Sequence, residues 1–267
     1  MINTIKTGLL LTSLYILCSG FIIYTPTALY TPLLKINKEL NMTAKLGLSA
    51  SGLWNFNAAY ALNDNLGITF SGMTSNSNSF ITLETIPNSG NIAEFKKNAF
   101  EFGGGCFMPY GQKGNRLFQI YSGFGFGSVY DKFTERNTLK YDVESQFVNL
   151  FLQVGLAKTG DFFESSFDIK TKHIFVYKIQ GEILPYYDGP FSPDYVKLNE
   201  KIRLLQVEPV YTFKAGNENL KGIFQLGLIL GSGYTDFGYE SPSTYNPLFV
   251  IANLFRASIG VSYTFRQ

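Results

Sequence analysis

The sequence predicts an all-β fold: a closed antiparallel transmembrane β-barrel of about ten strands, within a range of roughly eight to twelve, behind an N-terminal signal peptide. Three observations lead to this prediction. Apolar and polar residues alternate with a period of two along most of the chain, the connections between alternating segments are short and long in turn, and 16% of the 267 residues are aromatic.

The composition excludes several classes of function. The 22 basic and 20 acidic residues give a net charge of +2, which is too weak to indicate nucleic-acid binding. Two cysteines and one histidine offer neither a disulfide scaffold nor the ligands of a metal site. We therefore expect no nucleic acid, metal or cofactor to be bound.

The N-terminus predicts an export signal. Lys6 supplies positive charge, residues 8–17 form an apolar stretch, and small residues follow at positions 18–20. An uncleaved membrane helix over residues 8–24 is the alternative. The predicted boundaries are a signal peptide over residues 1–19, a periplasmic leader over 20–40 and the barrel over 41–267.

Cys18 lies where bacterial lipoproteins are cleaved and acylated. Lipoprotein signals place a small residue before the cysteine, however, and here that residue is Leu17. The sequence leaves two alternatives open: a lipid attached to Cys18, or a cysteine that is discarded with the signal.

Ten segments alternate as strands do. The last is the clearest, because Ile259, Val261 and Tyr263 alternate with small or hydroxyl-bearing residues. In chain order the ten segments cover residues 42–49, 54–62, 66–71, 100–108, 118–127, 145–156, 163–177, 205–213, 224–230 and 256–266.

The connections between these segments alternate in length. Outer-membrane barrels have this asymmetry, with short periplasmic turns and longer outer loops. The hairpin at Ser51 and Gly52 is an exception, since it is tight on the side of the long connections. Short turns are expected at residues 63–65, 111–115, 158–161 and 215–220, and long connections at 74–96, 131–142, 179–200 and 235–254.

A secreted β-sandwich is the alternative to a barrel. The barrel is favoured because nearly every segment has a large apolar face, and because segments of about 9–11 residues are long enough to cross a bilayer. Aromatic residues also cluster near segment ends, as in the girdles of membrane barrels. They are Trp54, Tyr60, Tyr177, Tyr211, Phe213, Tyr263 and Phe265.

Charged residues on the polar face of the segments are expected to line the lumen. Four are basic and four are acidic, so they can neutralise one another, and a barrel of this size leaves little space between them. The eight residues are Lys45, Lys170, Lys172 and Arg256 with Glu101, Glu164, Asp168 and Glu208. We predict a filled or narrow lumen in which these charges form a structural network rather than a substrate pathway.

The sequence offers no catalytic constellation. Its single histidine, His173, falls by periodicity on the lipid-facing side of its segment, away from the lumenal carboxylates. The glycines at 103–105 and at 123, 125 and 127 lie within strands and lack the lysine of a phosphate-binding loop, so they indicate kinks in the barrel wall. We predict that the protein is not an enzyme.

The connection over residues 179–200 is the richest outer surface. Its aromatic residues are candidates for contact with a glycan or a protein partner, and the alternative is that they stiffen the loop. These candidates are Tyr186, Tyr187, Phe191 and Tyr195.

The chain ends on the alternating run Ile259-Gly-Val-Ser-Tyr-Thr-Phe265, followed by two further residues. This run resembles the last strand of Gram-negative outer-membrane barrels, in which a terminal aromatic is recognised by the assembly machinery. The resemblance implies that Tyr263 and Phe265 form the assembly signal.

Residues 24–34, 39–41 and 58–67 are similar to a group of uncharacterised Bacteroidetes outer-membrane barrel proteins. The resemblance covers about the first 70 residues and the tail of the chain. It implies the outer membrane of a Gram-negative bacterium, with outer-membrane lipid and the barrel-assembly machinery as partners. It implies no activity.

Three functional hypotheses follow. The leading one is a small barrel with a structural role, or with a role in binding or adhesion through its loops to an unidentified extracellular ligand. The second is a narrow channel or transporter for small solutes. The third is a lipid-modifying barrel enzyme that works with carboxylates alone.

Overall fold

The computed structural model describes part of the chain. The described residues are 32–47, 54–77, 92–111, 115–135, 138–183, 196–199, 201–235 and 255–266. The predicted signal peptide with Cys18 lies outside them, as do Tyr186, Tyr187, Phe191 and Tyr195 of the outer connection. In the described residues no helix has the length and hydropathy to cross a membrane.

The described chain forms twelve β-segments in one sheet. They are β1 (Leu40–Gly47), β2 (Trp54–Ala61), β3 (Leu66–Ser77), β4 (Ile92–Tyr110), β5 (Arg116–Glu135), β6 (Thr138–Lys158), β7 (Phe163–Ile183), β8 (Val196–Asn199), β9 (Ile202–Gly216), β10 (Leu220–Leu228), β11 (Leu230–Thr235) and β12 (Phe255–Phe265).

The sheet closes on itself through antiparallel pairs. β1 pairs with β2 on one side and with β12 on the other, and β12 pairs with β10. β7 pairs with β9, which pairs in turn with β10. Because β8 extends the line of β9 along β7, and β11 extends the line of β10 along β9, the described segments make ten barrel strands. The prediction of a closed, ten-stranded antiparallel barrel is confirmed.

Four strands are longer than a bilayer requires. β4, β5, β6 and β7 have 19, 20, 21 and 21 residues, whereas about 9–11 tilted residues cross the apolar core. The extra length lies on the side of the long connections. The long connection predicted over residues 131–142 is therefore wrong over most of its length, because β5 continues to Glu135 and β6 begins at Thr138.

The outward face of the barrel is apolar around its middle. On β6 the outward side chains from Val148 to Leu156 are 37–57% exposed, although all are large and apolar. Beyond this run the outward positions of the same strand become polar, at Gln146 and Glu144. An exposed apolar belt of this kind faces lipid. The chain is a closed, ten-stranded antiparallel transmembrane β-barrel.

The interior is filled by side chains in three layers. A central ionic layer, described with the candidate site below, is enclosed by two apolar ones. The outer apolar layer, on the side of the long connections, consists of Met73, Ala99, Val129, Val143, Phe147, Ile174, Val176, Ile179, Ile202 and Leu204. The second apolar layer lies on the side of the short turns, which the sequence predicts to face the periplasm, and we call it the periplasmic apolar layer. It consists of Leu33, Leu34, Ala59, Ala61, Phe107, Leu117 and Ala157.

Glycines on the lumenal face of β4 and β5 make room for large interior side chains. A Cβ at Gly103 would lie 2.8 Å from Cζ of Phe151, and one at Gly127 would lie 2.7 Å from Cζ of Phe147. These separations are too short for carbon atoms in contact. The glycines thus make room for aromatic side chains that point into the lumen and pack along the wall.

Gly105 and its neighbour Gly104 provide a matched pair for testing this interpretation. A Cβ at inward-facing Gly105 would lie 2.0 Å from the backbone oxygen of Ile120, while one at outward-facing Gly104 would meet nothing closer than the Gly67 oxygen at 3.8 Å. We expect Gly105→Ala to destabilise the barrel by about 3 kcal/mol, and Gly104→Ala to change stability by less than about 0.5 kcal/mol. Urea unfolding in phospholipid vesicles, followed by heat-modifiable gel mobility, measures both; equal stabilities would contradict the interpretation.

Candidate functional site: the barrel lumen

Four charged side chains from three strands meet in the central ionic layer. Glu101 of β4 contacts Lys170 Nζ of β7 at 2.5 Å and Lys172 Nζ at 3.2 Å. Lys172 Nζ also lies 3.2 Å from Glu208 Oε1 of β9. All four side chains are buried. Lys170 and Lys172 share the inward face because alternate residues of a strand point the same way.

Hydrogen bonds extend this layer around the barrel. Asp168 Oδ1 accepts hydrogen bonds from Gln119 Nε2 at 2.8 Å and from Gln153 Nε2 at 3.2 Å. In the strands that follow β7 around the barrel, Lys45 Nζ of β1 donates to Gln225 Oε1 of β10 at 2.7 Å, and Gln225 Nε2 donates to Thr212 of β9 at 2.7 Å. The amide side chains thus link Asp168 and Lys45 to polar groups on other strands.

The structure places all eight sequence-predicted charges on the lumenal face. Seven of them are buried and Arg256 is half-buried. They do not form one cluster, because Glu164 lies at the periplasmic end, where it contacts Lys35 at 2.7 Å and Lys221 at 3.0 Å. The network is therefore divided between the central layer and the periplasmic mouth.

Sequence reasoning missed four further charged residues in the lumen. Lys97, Lys214, Lys221 and Asp131 are all buried and point inward. Added to the eight predicted residues, these four give seven basic and five acidic side chains on the inward positions of the described strands. The sequence predicts four of each. Extending the periodicity of β9 by one inward position beyond Thr212 would have found Lys214.

The chain before β1 enters the periplasmic mouth of the barrel. Leu33 and Leu34 are fully buried in the periplasmic apolar layer, and Gly67 leaves the space that Leu34 occupies. The sequence predicts this stretch as part of a periplasmic leader, and nothing in its pattern indicates that it packs inside the barrel. We call residues 32–39 the N-terminal plug.

Polar contacts fix the N-terminal plug in place. Glu39 accepts backbone hydrogen bonds from Lys35 at 2.6 Å and Ile36 at 3.2 Å, which fold the segment into a turn. The Ala61 N–H donates to the Glu39 carbonyl at 2.9 Å, and the Lys38 N–H donates to the Ala61 carbonyl at 3.1 Å. The plug is thereby joined to the end of β2.

Little free space remains between the plug and the central ionic layer. Pro32, Glu101, Tyr121 and Lys170 border a cavity with ≈ 10 Å³ of free volume, enough for about one water molecule. Around this cavity the described side chains occupy the lumen.

His173 lies on the outer face of the barrel, away from every lumenal carboxylate named above. Its ring packs against Phe175 with the ring centroids 4.3 Å apart, and the side chain is exposed. Across the described residues, no three histidine, cysteine or acidic side chains converge in a way that would hold a metal ion. Tyr263 and Phe265 also point outward, with their ring centroids 4.4 Å apart at the end of β12.

Comparison with known proteins adds no family assignment. No family model matches the sequence, and no curated protein matches it. Among solved structures the chain is similar to the N-terminal β-barrel domain of Pseudomonas aeruginosa OprF, with 11% identity and a TM-score of 0.33, covering 86% of this chain and 100% of that one. It is also similar to Acinetobacter baumannii CarO, with 10% identity and a TM-score of 0.33, covering 88% of this chain and 100% of that one. The Bacteroidetes assignment stays a prediction.

Proposed function

We propose that the protein is an outer-membrane barrel with a sealed lumen, which anchors a rigid outer wall and its loops so that they bind an extracellular partner. The filled lumen is the observation that carries this proposal. The outer apolar layer and the N-terminal plug enclose an ionic layer in which Lys172 lies between Glu101 and Glu208. A hydrated ion would have to displace packed side chains at all three levels.

The long strands support the binding part of the proposal. Beyond the apolar belt, the outward side chains of β4 to β6 form ion pairs, Lys96 with Glu94 at 2.6 Å and Lys132 with Asp142 at 3.4 Å. The same part of the wall is filled inside by the outer apolar layer. A β-structure that is surrounded by water has polar side chains on its outer face and apolar side chains inside. The wall thus supports the loops above the membrane, and Tyr186, Tyr187, Phe191 and Tyr195 remain candidate contact residues.

Recordings in planar lipid bilayers test the sealed lumen. We expect the full-length protein to produce no stepwise conductance in 1 M KCl, because packed side chains of the described residues occupy the lumen in all three layers. Heat-modifiable mobility of the same preparation verifies that the barrel is folded, and a known porin inserted into the same bilayer serves as the positive control. Regular conductance steps from the folded protein would contradict the proposal.

A narrow channel is the second candidate, and the excess of lumenal cations favours it over a lipid-modifying enzyme. The described strands place seven cations but five carboxylates on the lumenal face, so a conducting form would attract anions. Bilayer recordings with different KCl concentrations on the two sides distinguish the alternatives. A reversal potential that indicates anion selectivity would favour the channel, while the absence of current would favour the sealed barrel.

A further inference from the structure

A group of basic side chains lies on the outer face of the wall where β7 meets β9. It consists of His173 and Lys178 of β7, Arg203 of β9, and Lys201, which comes directly before β9; we call these four the outer basic patch. The register places Phe175 opposite Arg203 and His173 opposite Leu205. The extra residue of the β7 bulge turns both Tyr177 and Lys178 outward, since Val176 and Ile179 on either side are buried inside.

The outer basic patch lies at the edge of the apolar belt. Leu150 and Leu205, which flank His173 in the register, are 57% and 54% exposed and face lipid. In the opposite direction the outward positions become polar, at Glu144 and Gln180. Charged side chains at such a boundary meet the headgroups of the leaflet, while their neighbours meet its acyl chains.

The cations of the outer basic patch differ from the others on the outer wall. Lys96 and Lys132 form ion pairs with Glu94 and Asp142. Within the described part of the chain, by contrast, no carboxylate forms an ion pair with a member of the patch. The charges of Lys178, Lys201 and Arg203 are therefore not neutralised by an ion pair within the described residues, and they can attract an external anion.

Aromatic contacts hold two members of the patch in position. The Arg203 guanidinium lies 5.9 Å from the centroid of the Phe175 ring, and the His173 ring packs on the same side chain. Tyr177 is fixed by a hydrogen bond from its hydroxyl to Gln146 Oε1 at 3.2 Å. Three of the four members stand on strands rather than on a loop, so most of the geometry of the patch exists before a ligand binds.

We propose that the outer basic patch binds the phosphate of an outer-leaflet lipid, of the phosphorylated lipid A type, whose acyl chains lie along Leu150 and Leu205. A planar guanidinium and neighbouring ammonium groups match phosphate oxygens. The adjoining lipid-facing surface favours a lipid headgroup over a free phosphate ion. This lipid site is separate from the loops that are proposed to bind an extracellular partner. The proposal of a lipid site rests on the proposed outer-membrane location.

Native mass spectrometry of the full-length protein in neutral detergent tests the proposal, with diphosphorylated lipid A as the probe. We expect Lys178→Gln with Arg203→Gln to weaken lipid A binding by about 25-fold, fivefold for each cation removed. The matched control is Lys96→Gln with Lys132→Gln, which removes two paired cations from the same wall and is expected to bind within about twofold of the parent protein. Lipid A with its phosphates removed is expected to bind weakly to all three proteins.

Three results would overturn the lipid site. One is equal binding by the patch variant and the parent protein, another is equal weakening in the control variant, and the third is full competition by inorganic phosphate at the lipid concentration. If the double variant does not fold, as judged by heat-modifiable mobility, Lys201→Gln alone provides the test with an expected fivefold effect. Membrane separation on a sucrose gradient measures the location independently, so a failure of location is distinguishable from a failure of lipid binding.

Discussion

Replacing Glu101 by glutamine is expected to lower the free energy of unfolding by about 3–5 kcal/mol. Glu101 lies between Lys170 at 2.5 Å and Lys172 at 3.2 Å, and the three side chains are buried in the central ionic layer. Glutamine has nearly the same shape but no charge, so two lysines would lose a carboxylate partner while they remain inside the barrel. Removing one partner of a buried ion pair lowers the free energy of unfolding strongly, because the remaining charge stays buried away from water without a partner.

Urea unfolding in lipid vesicles measures this effect, with Trp54, the single tryptophan of the chain, as the fluorescent reporter. Glu94→Gln is the matched control, since Glu94 pairs with Lys96 at 2.6 Å on the outer wall, where both side chains are partly exposed. A surface pair contributes about 0–1 kcal/mol. A loss below about 1 kcal/mol for Glu101→Gln would show that the central ionic layer does not hold the strands together.

The sequence pattern is reliable where the barrel crosses the membrane. There the outward positions meet lipid, and the inward positions that form the central ionic layer are polar, so the two faces of a strand differ in polarity. Lys45, Lys170 and Glu208 could be assigned to the lumen on this basis alone, and the structure places them there.

The same pattern fails above the membrane because the polarity of the two faces reverses. On β6 the outward Val148 and Leu150 are apolar, but beyond them the inward Phe147 and Val143 become the apolar positions and the outward Glu144 is charged. A rule that assigns apolar residues to the lipid face therefore assigns inward and outward positions the wrong way round beyond this point. Residues 131–142 therefore look like a connection in the sequence, although most of them continue β5 and β6.

The missed parts of the lumen have a related explanation. Lys97 lies two residues before Ala99, in the region where most interior side chains are apolar and the outward Lys96 and Asn98 are polar, so the polar face of the strand does not mark the lumen there. The N-terminal plug has no periodic signal at all. Leu34 is buried in one apolar cluster with residues far along the chain, such as Phe107 and Leu117, and local sequence does not encode such long-range packing.

Replacing Leu34 by aspartate is expected to release the N-terminal plug. The Leu34 side chain is 0% exposed within the periplasmic apolar layer, so an aspartate there would bring an unpaired charge into an apolar environment. Removing the leucine contacts alone costs about 2–5 kcal/mol. The burial of Leu34 also keeps the rest of the N-terminal plug in place, including the turn at Glu39 and the ion pair of Lys35 with Glu164 at 2.7 Å. We therefore expect the plug to leave the lumen before the barrel itself unfolds.

Limited trypsin digestion of the folded protein in micelles detects this release. Lys35 and Lys38 lie within the plug, and the Lys35 side chain is 23% exposed while it pairs with Glu164. Trypsin should cleave after these lysines at least tenfold faster in Leu34→Asp, since proteolysis follows the population of the open form. Ile36→Asp is the matched control, because Ile36 lies in the same segment and is 44% exposed. Equal cleavage rates in the two variants would mean that the buried leucine does not hold the plug, whereas selective cleavage of Leu34→Asp would identify this contact as the one that closes the periplasmic mouth.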